Sequence, residues 1–383
     1  MTSRERILTT LAGEMADRVP VAPFVQEEFL SYCYPEKDSV DRVFDAVTCA
    51  GDFGFDLMAR PKLYERPDFM RRSYPNWEVS VSETRSGGNL YKTTTITVPG
   101  RALKTVAAGP DCGASSSGIH MSMVEYLLKD KEDIEAFLTY LPSVSGSAID
   151  EMRNSVDEWK ACVGEAGIVA PWGWGTTFNH ASEFRSVESL MVDAYMEQEM
   201  YDQLMTGISD AQVQYNSAYA RMGLECLGIQ GNIANGAMVG HDFFKEFIQP
   251  YEQKLIDAVK AEGTHLLYHN CGYAASLYDN YAEMLPTVWE TVAAPPQGDS
   301  DLAEAKRILG DKIILMGNLD QVRFLKEASV AEVTAKTEEI VQIGKQGGSY
   351  IFAASDYLEN NTPLENVRAM VQAAIAVGGL GST

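Results

Sequence analysis

Thr264-His265-Leu266-Leu267-Tyr268-His269-Asn270-Cys271-Gly272 reads as a short buried strand that runs out into a polar turn. The apolar core of this run is too short for a helix, and a glycine closes it. An amphipathic stretch over residues 243–261 comes just before it. The same alternation continues in both directions. β-type runs fall at residues 19–25, 55–59, 168–172, 226–231, 264–269, 287–292, 312–316 and 349–353, and further helical stretches at 301–309, 330–343 and 363–376. Eight strand–helix units predict an α/β protein with a (β/α)8 TIM barrel spanning residues 1–383 as one domain. No Gly-x-Gly-x-x-Gly turn follows the first strand, which argues against a dinucleotide fold.

Two segments lie outside the alternation. Residues 3–12 form a helix ahead of the first strand and are expected to close the barrel bottom. Residues 77–107 alternate in the β manner around Ser86-Gly87-Gly88-Asn89, predicting a β-hairpin insertion after strand two. A cover for the barrel mouth, an oligomer contact and mere decoration are its three readings, so a homo-oligomer stays open.

The composition narrows the function classes. The chain has 383 residues, 45% of them hydrophobic, enough for a large core. With 31 basic and 54 acidic residues the formal charge is −23, so nucleic acid and anionic membranes are poor partners. There is no apolar run of membrane-spanning length, and the charged opening Met1-Thr2-Ser3-Arg4-Glu5-Arg6 does not read as a secretory signal. Six cysteines, at 33, 49, 112, 162, 226 and 271, form no paired framework. A cytoplasmic protein is expected.

Of those cysteines only Cys271 has a histidine at ligand spacing. His269 and Cys271 are two apart at a strand end and share one face, and imidazole with thiolate suits Zn2+. The plainer reading is a pair that binds nothing. Trp172 and Trp174 also sit at strand spacing and, with Phe178 and His180, make either the walls of a flat pocket or ordinary packing. His180 reads as a structural hydrogen-bonding group rather than a base. Gln230 and Asn232 end strand four with polar groups fit to orient a substrate. Glu290, in strand six, is a catalytic candidate as fourth ligand or proton donor, or else a paired interior carboxylate.

Several motifs carry a family resemblance. Ser3-Arg4-Glu5-Arg6-Ile7-Leu8 and Asp17-Arg18-Val19-Pro20-Val21 resemble the opening of the uroporphyrinogen decarboxylase superfamily. So do His269-x-Cys271-Gly272, Asp301-Leu302-Ala303-Glu304-Ala305-Lys306 before Gly310-Asp311, Met316-Gly317-Asn318-Leu319-Asp320 and Thr362-Pro363-Leu364-Glu365-Asn366-Val367. The similarity runs through nearly the whole chain and implies a (β/α)8 barrel. The decarboxylases hold their polycarboxylate substrate with arginines after the first strand. This chain has Gln26-Glu27-Glu28 there, so an acidic mouth is expected.

The resemblance is closer to the zinc- and corrinoid-dependent methyltransferases, in both their coenzyme M and their O-demethylating branches. It implies Zn2+ and a corrinoid (cobalamin) supplied by a partner protein. The stretch from Glu290 to Pro296 with Gly298-Asp299 resembles the ether-demethylating branch. Where the thiol branch has a third, cysteine ligand, this chain has Asp356, whose carboxylate zinc also accepts; a helix cap is the plainer reading. Asn318 and Tyr357 are further mouth candidates, and Asp320 reads as a helix N-cap. The implied activity is methyl transfer from a small methoxylated, aromatic substrate to a Co(I) corrinoid. The alternatives are a methylcobamide:thiol methyltransferase, a porphyrinogen-type decarboxylase and a non-catalytic subunit that binds a corrinoid protein.

Overall fold

A computed structural model describes residues 1–63, 69–111, 121–143 and 146–380, apart from the side chains of 147 and 148; Cys112 lies outside the described residues. Seven parallel strands follow the expected runs. They are β1 (Leu57–Ala59), β6 (Gly167–Val169), β7 (Cys226–Gln230), β8 (His265–His269), β9 (Val288–Glu290), β10 (Ile314–Leu319) and β11 (Tyr350–Ala354). β1 pairs with β6, and β7 to β11 pair in sequence order.

The first predicted strand is an extended segment, not a regular strand, because Pro20 and Pro23 have no amide hydrogen for a ladder. It still joins its two neighbours. Phe352 N donates to Pro20 O and Ala22 N to Phe352 O, while Asp56 N donates to Val21 O on the other side. Single bridges, Val21 with Phe352 and Trp172 with Gly228, link the remaining neighbours, so the eight segments close into a ring.

The interior of that ring is apolar. Met58, Ile168, Cys226, Leu267, Val288 and Ile314 pack together with Ile7 and Leu11 of α1 (Ser3–Leu11). The N-terminal helix therefore plugs one end of the barrel, as expected. An ion network pins it there: Arg6 donates to Asp17 (2.7 Å) and to the fully buried Asp56 (2.6 Å), and Arg18 also donates to Asp56 (2.8 Å). The opening motif thus acts as a clasp between α1 and the first two strands.

The insertion is larger than a hairpin. β2 (Glu78–Ser86) and β3 (Asn89–Val98) form the expected pair, and β4 (Arg101–Pro110) and β5 (Ser122–Glu125) extend it to four antiparallel strands. Buried Trp77, at its root, packs against Phe69 and Phe137. β10 runs further than the apolar pattern indicates: Asn318 pairs in register with Ala353, so it lies in the strand and not after it. Asp320 accepts from the amides of Val322, Arg323 and Phe324, so it caps the turn ahead of the short helix Phe324–Glu327, whose own N-cap position is Arg323.

Glu252, on the helix Gln249–Ala261, is wholly buried beside Thr176 and the backbone of Thr177 and Phe178. Burial outweighs these contacts and pushes its carboxyl up to about 8. The native state then keeps a proton that the unfolded chain gives up at the ordinary value of 4.5. This group's contribution is present at low pH and is lost as pH rises through about 8. Glu252→Gln should melt higher than the parent at pH 8.5, with a smaller gain at pH 5. Thermal melts showing the same difference at both pH values would contradict this.

Candidate active site

The C-terminal strand ends bring the predicted ligands together. His269 ends β8, Cys271 follows two residues on, and Asp356 follows β11. One donor atom from each of the three lies within 4.8 Å of the other two, the single cluster of its kind among the described residues. Gly272 turns the chain just after the thiol with φ +88°, a conformation in which a side chain would be strained. The amide of Cys271 donates to Asn232 Oδ1 (3.4 Å), so the end of strand four braces this turn.

The imidazole is held from both ends. Its Nδ1 lies 2.8 Å from Glu290 Oε2, and its Nε2 lies 3.8 Å from Asp356 Oδ2. His269 is nearly inaccessible, whereas Cys271 and Asp356 are partly exposed, so the cluster opens on the thiol–carboxylate side. Asp356 Oδ1 accepts from Tyr357 N (2.8 Å), which leaves Oδ2 turned toward His269.

Behind Glu290 stands Arg60, which the sequence reading did not single out. It is 2% exposed, and its Nη2 donates to Glu290 Oε1 at 2.7 Å. Its guanidinium stacks on Phe24 and Trp172, 4.7 and 4.8 Å from the ring centroids. Burial alone would raise the Glu290 carboxyl, but the Arg60 charge and the His269 hydrogen bond hold it down at about 2. Burial likewise works against protonation of His269, yet in the metal-free cluster hydrogen bonds with Cys271 and Glu290 and the Glu290 charge raise it above the ordinary histidine value. Burial raises Asp356, opposed by His269. Both Glu290 oxygens are engaged, on the opposite side of the imidazole from Asp356.

The donor set fits zinc. Nitrogen, sulfur and carboxylate oxygen are its ordinary ligands; bonds of roughly 2.0–2.3 Å in a tetrahedron put donors about 3.3–3.8 Å apart, so the 3.8 Å between His269 Nε2 and Asp356 Oδ2 suits one ion, and the three donors, all within 4.8 Å, would draw together around it. A ligand histidine whose second nitrogen is fixed by a carboxylate is the usual arrangement around such a metal.

Next to the cluster is a cavity of about 740 Å³. Trp172, Trp174, His180 and Gln230 line it, and Phe69 and Phe184 complete an aromatic wall. The Trp172 ring meets His269 edge-on at 5.5 Å, and Gln230 pairs in register with His269, so this wall adjoins the cluster. Gly228 makes room for Trp172: a Cβ there would come within 2.5 Å of the indole. Phe178 lies elsewhere, fully buried against Phe243. His180 packs on Trp174, with Nδ1 3.4 Å from Thr176 O. Tyr357 touches Phe24 edge-on, and Asn318 is buried at the end of β10.

The expected acidic mouth is corrected by residues distant in sequence. Glu27 is paired with Arg42 and with Lys62 (3.3 Å). Burial opposes its ionisation, but the Arg42 charge holds its carboxyl below the ordinary value.

A family profile described as uroporphyrinogen decarboxylase (URO-D) matches residues 118–377. The chain belongs to the URO-D family. Among its relatives is the methylcobamide:CoM methyltransferase MtaA of Methanosarcina barkeri, 24% identical over 97% of both chains. The uroporphyrinogen decarboxylase of Serratia proteamaculans is 23% identical over 66% of this chain and 70% of its own. A solved methyltransferase from Methanosarcina mazei shares the fold, with a TM-score of 0.68, 18% identity and coverage of 98% of this chain and 99% of its own. The matched stretch takes in β6 to β11 and the strand ends that carry His269, Cys271 and Asp356.

Arg60→Leu would strand the buried Glu290 charge, and such a loss costs about 3–5 kcal/mol. Urea unfolding should show that loss, and Arg60→Leu combined with Glu290→Leu should recover much of it. A single variant as stable as the parent would contradict this account of the pair.

Proposed function

We propose that this chain is a zinc-dependent methyltransferase that moves a methyl group from a small methoxylated, aromatic compound to the reduced corrinoid of a partner protein. The convergence of His269, Cys271 and Asp356 beside an aromatic-walled cavity carries this reading. Held by these three side chains with one position left for the reactant, zinc would supply Lewis acidity at the ether oxygen from which the methyl group departs.

The protein's own residues do the rest. Glu290, held ionised by Arg60, fixes the imidazole tautomer that presents Nε2 to the cluster. Trp172, partly exposed in the cavity lining, is the ring that would orient an aromatic substrate, and buried Trp174 packs within the same wall on Phe69, His180 and Tyr215. Gln230, in the cavity lining, would offer its amide to a polar substituent of the ring. On this reading residues 1–383 act as one barrel unit in the cytoplasm, where its free thiols persist.

A second reading is methyl transfer between the corrinoid and a thiol. Similarity to MtaA along nearly the full chain favours it. Asp356 in the expected place of a cysteine, together with the stretch from Glu290 to Asp299, favours the ether.

The test offers the protein a panel of methoxylated aromatics and a reduced corrinoid protein, and follows the loss of Co(I) absorbance. Loss of absorbance is expected with the parent chain. Cys271→Ala should be slower by roughly a hundredfold or more and should no longer retain zinc, since ligand and supporting groups each weigh heavily on such sites. Full activity in that variant, or activity confined to thiols, would overturn the ether reading.

A further inference from the structure

Two thiols outside the metal cluster stand side by side. α2 (Glu27–Cys33) ends on Cys33, and α3 (Phe44–Phe53) carries Cys49 in its middle. The two helices pack together, with the Phe29 and Phe53 rings 6.2 Å apart. Cys49 is fully buried in the core, whereas Cys33 is only partly covered. Both are free thiols, and they are each other's hydrogen-bonding partners. A sulfur–sulfur bond between them therefore needs little movement of the helices that carry them.

The surroundings divide the roles between the two sulfurs. Donation from Cys49 is the main influence holding the Cys33 thiol below its ordinary value; burial and Asp52 oppose it, and the Arg368 guanidinium assists. Arg368 is fixed there by stacking on Phe53, 4.7 Å from the ring centroid. Cys49 moves the other way, because its hydrogen bond to Cys33 and its burial keep the proton on its sulfur. Tyr34 donates to Asp52 Oδ2 at 2.8 Å beside the pair. Thiolate is the reactive form of cysteine, so the more accessible sulfur is also the better nucleophile.

We infer that Cys33 and Cys49 are a peroxide-reactive thiol pair that closes to a reversible disulfide. The Cys33 thiolate attacks one oxygen of hydrogen peroxide: a sulfur–oxygen bond forms, the oxygen–oxygen bond breaks, and the departing hydroxide takes up a proton as water. The Cys49 sulfur then attacks the resulting sulfenic sulfur. The sulfur–sulfur bond forms, the sulfur–oxygen bond breaks, and the second hydroxide leaves with the Cys49 proton as water. Both sulfurs are oxidised and the peroxide is reduced; thiol–disulfide exchange with a small thiol restores the pair. Disulfides in a reducing compartment are of this transient kind. α2 starts just after Gln26, which lines the cavity, so the bridge ties an element of the cavity mouth to a core helix. The pair contains none of the residues assigned to methyl transfer, and the inference stands apart from that reading.

Peptide mapping of the zinc-supplied full chain after treatment with one equivalent of hydrogen peroxide tests this. Lys37 and Arg42 lie between the two cysteines, so trypsin places them in different peptides. Those peptides should be recovered joined, and dithiothreitol should separate them. Cys33→Ser should leave Cys49 unmodified. Cys49→Ala should halt at a sulfenic acid on Cys33, which dimedone captures in far higher yield than from the parent. Cys33 left unmodified in the parent, oxidised without bridging to Cys49, or bridged to another cysteine would overturn the inference. Dimedone labelling of Cys33 no greater in Cys49→Ala than in the parent would overturn it as well. Should that core variant fail to fold, the parent map alone decides.

Discussion

The buried line Arg60–Glu290–His269 is the constraint on which the rest of the site depends. It joins strand ends that are far apart in the chain, and each member makes sense only through the next. Glu290 stays ionised in an apolar barrel because Arg60 is there. His269 keeps one orientation because Glu290 is there, and that orientation turns Nε2 toward Asp356 and the thiol of Cys271. An unpaired buried carboxylate would be costly, so the arrangement tolerates little independent change. The stacking of Arg60 on Phe24 and Trp172 extends the same rigidity to the cavity wall.

Much of this was legible in the sequence, and the exceptions have physical causes. Short apolar runs bounded by turn residues locate seven strands, because parallel barrel strands are buried on both faces. The first segment also reads as a strand, but its prolines leave it one bridge, Val21 with Phe352, and on the other side a single hydrogen bond from Asp56 N to Val21 O. His269 and Cys271 were readable as a pair from their spacing. Asp356 came through the family resemblance, since nothing local ties it to them. Arg60 was missed although it directly follows Ala59, the last residue of β1, at the end of a barrel strand where functional groups gather. A charged residue ending an apolar run is the signal that would have found it.

The cavity shows what local reading cannot reach. Gln26-Glu27-Glu28 is acidic as a string, yet Arg42, Lys62, Arg71 and Arg72 surround that mouth from other loops. Electrostatic character belongs to the assembled surface. Phe178 teaches the same lesson for packing: two residues beyond Thr176 the chain has already turned into a helix, and the ring faces Phe243 in the core. The insertion, readable as a hairpin, is a four-stranded sheet whose root, through Trp77 and Phe69, reaches the cavity wall.

The central claim is that an imidazole, one thiolate and one carboxylate share a single zinc. X-ray absorption at the zinc edge of the purified, zinc-supplied protein tests it most directly. The account predicts about one zinc per chain with a single sulfur neighbour near ~2.3 Å and nitrogen or oxygen neighbours near ~2.0–2.1 Å. Loss of the sulfur shell is expected in Cys271→Ser. A zinc without any sulfur neighbour, or a chain that retains no zinc, would contradict it.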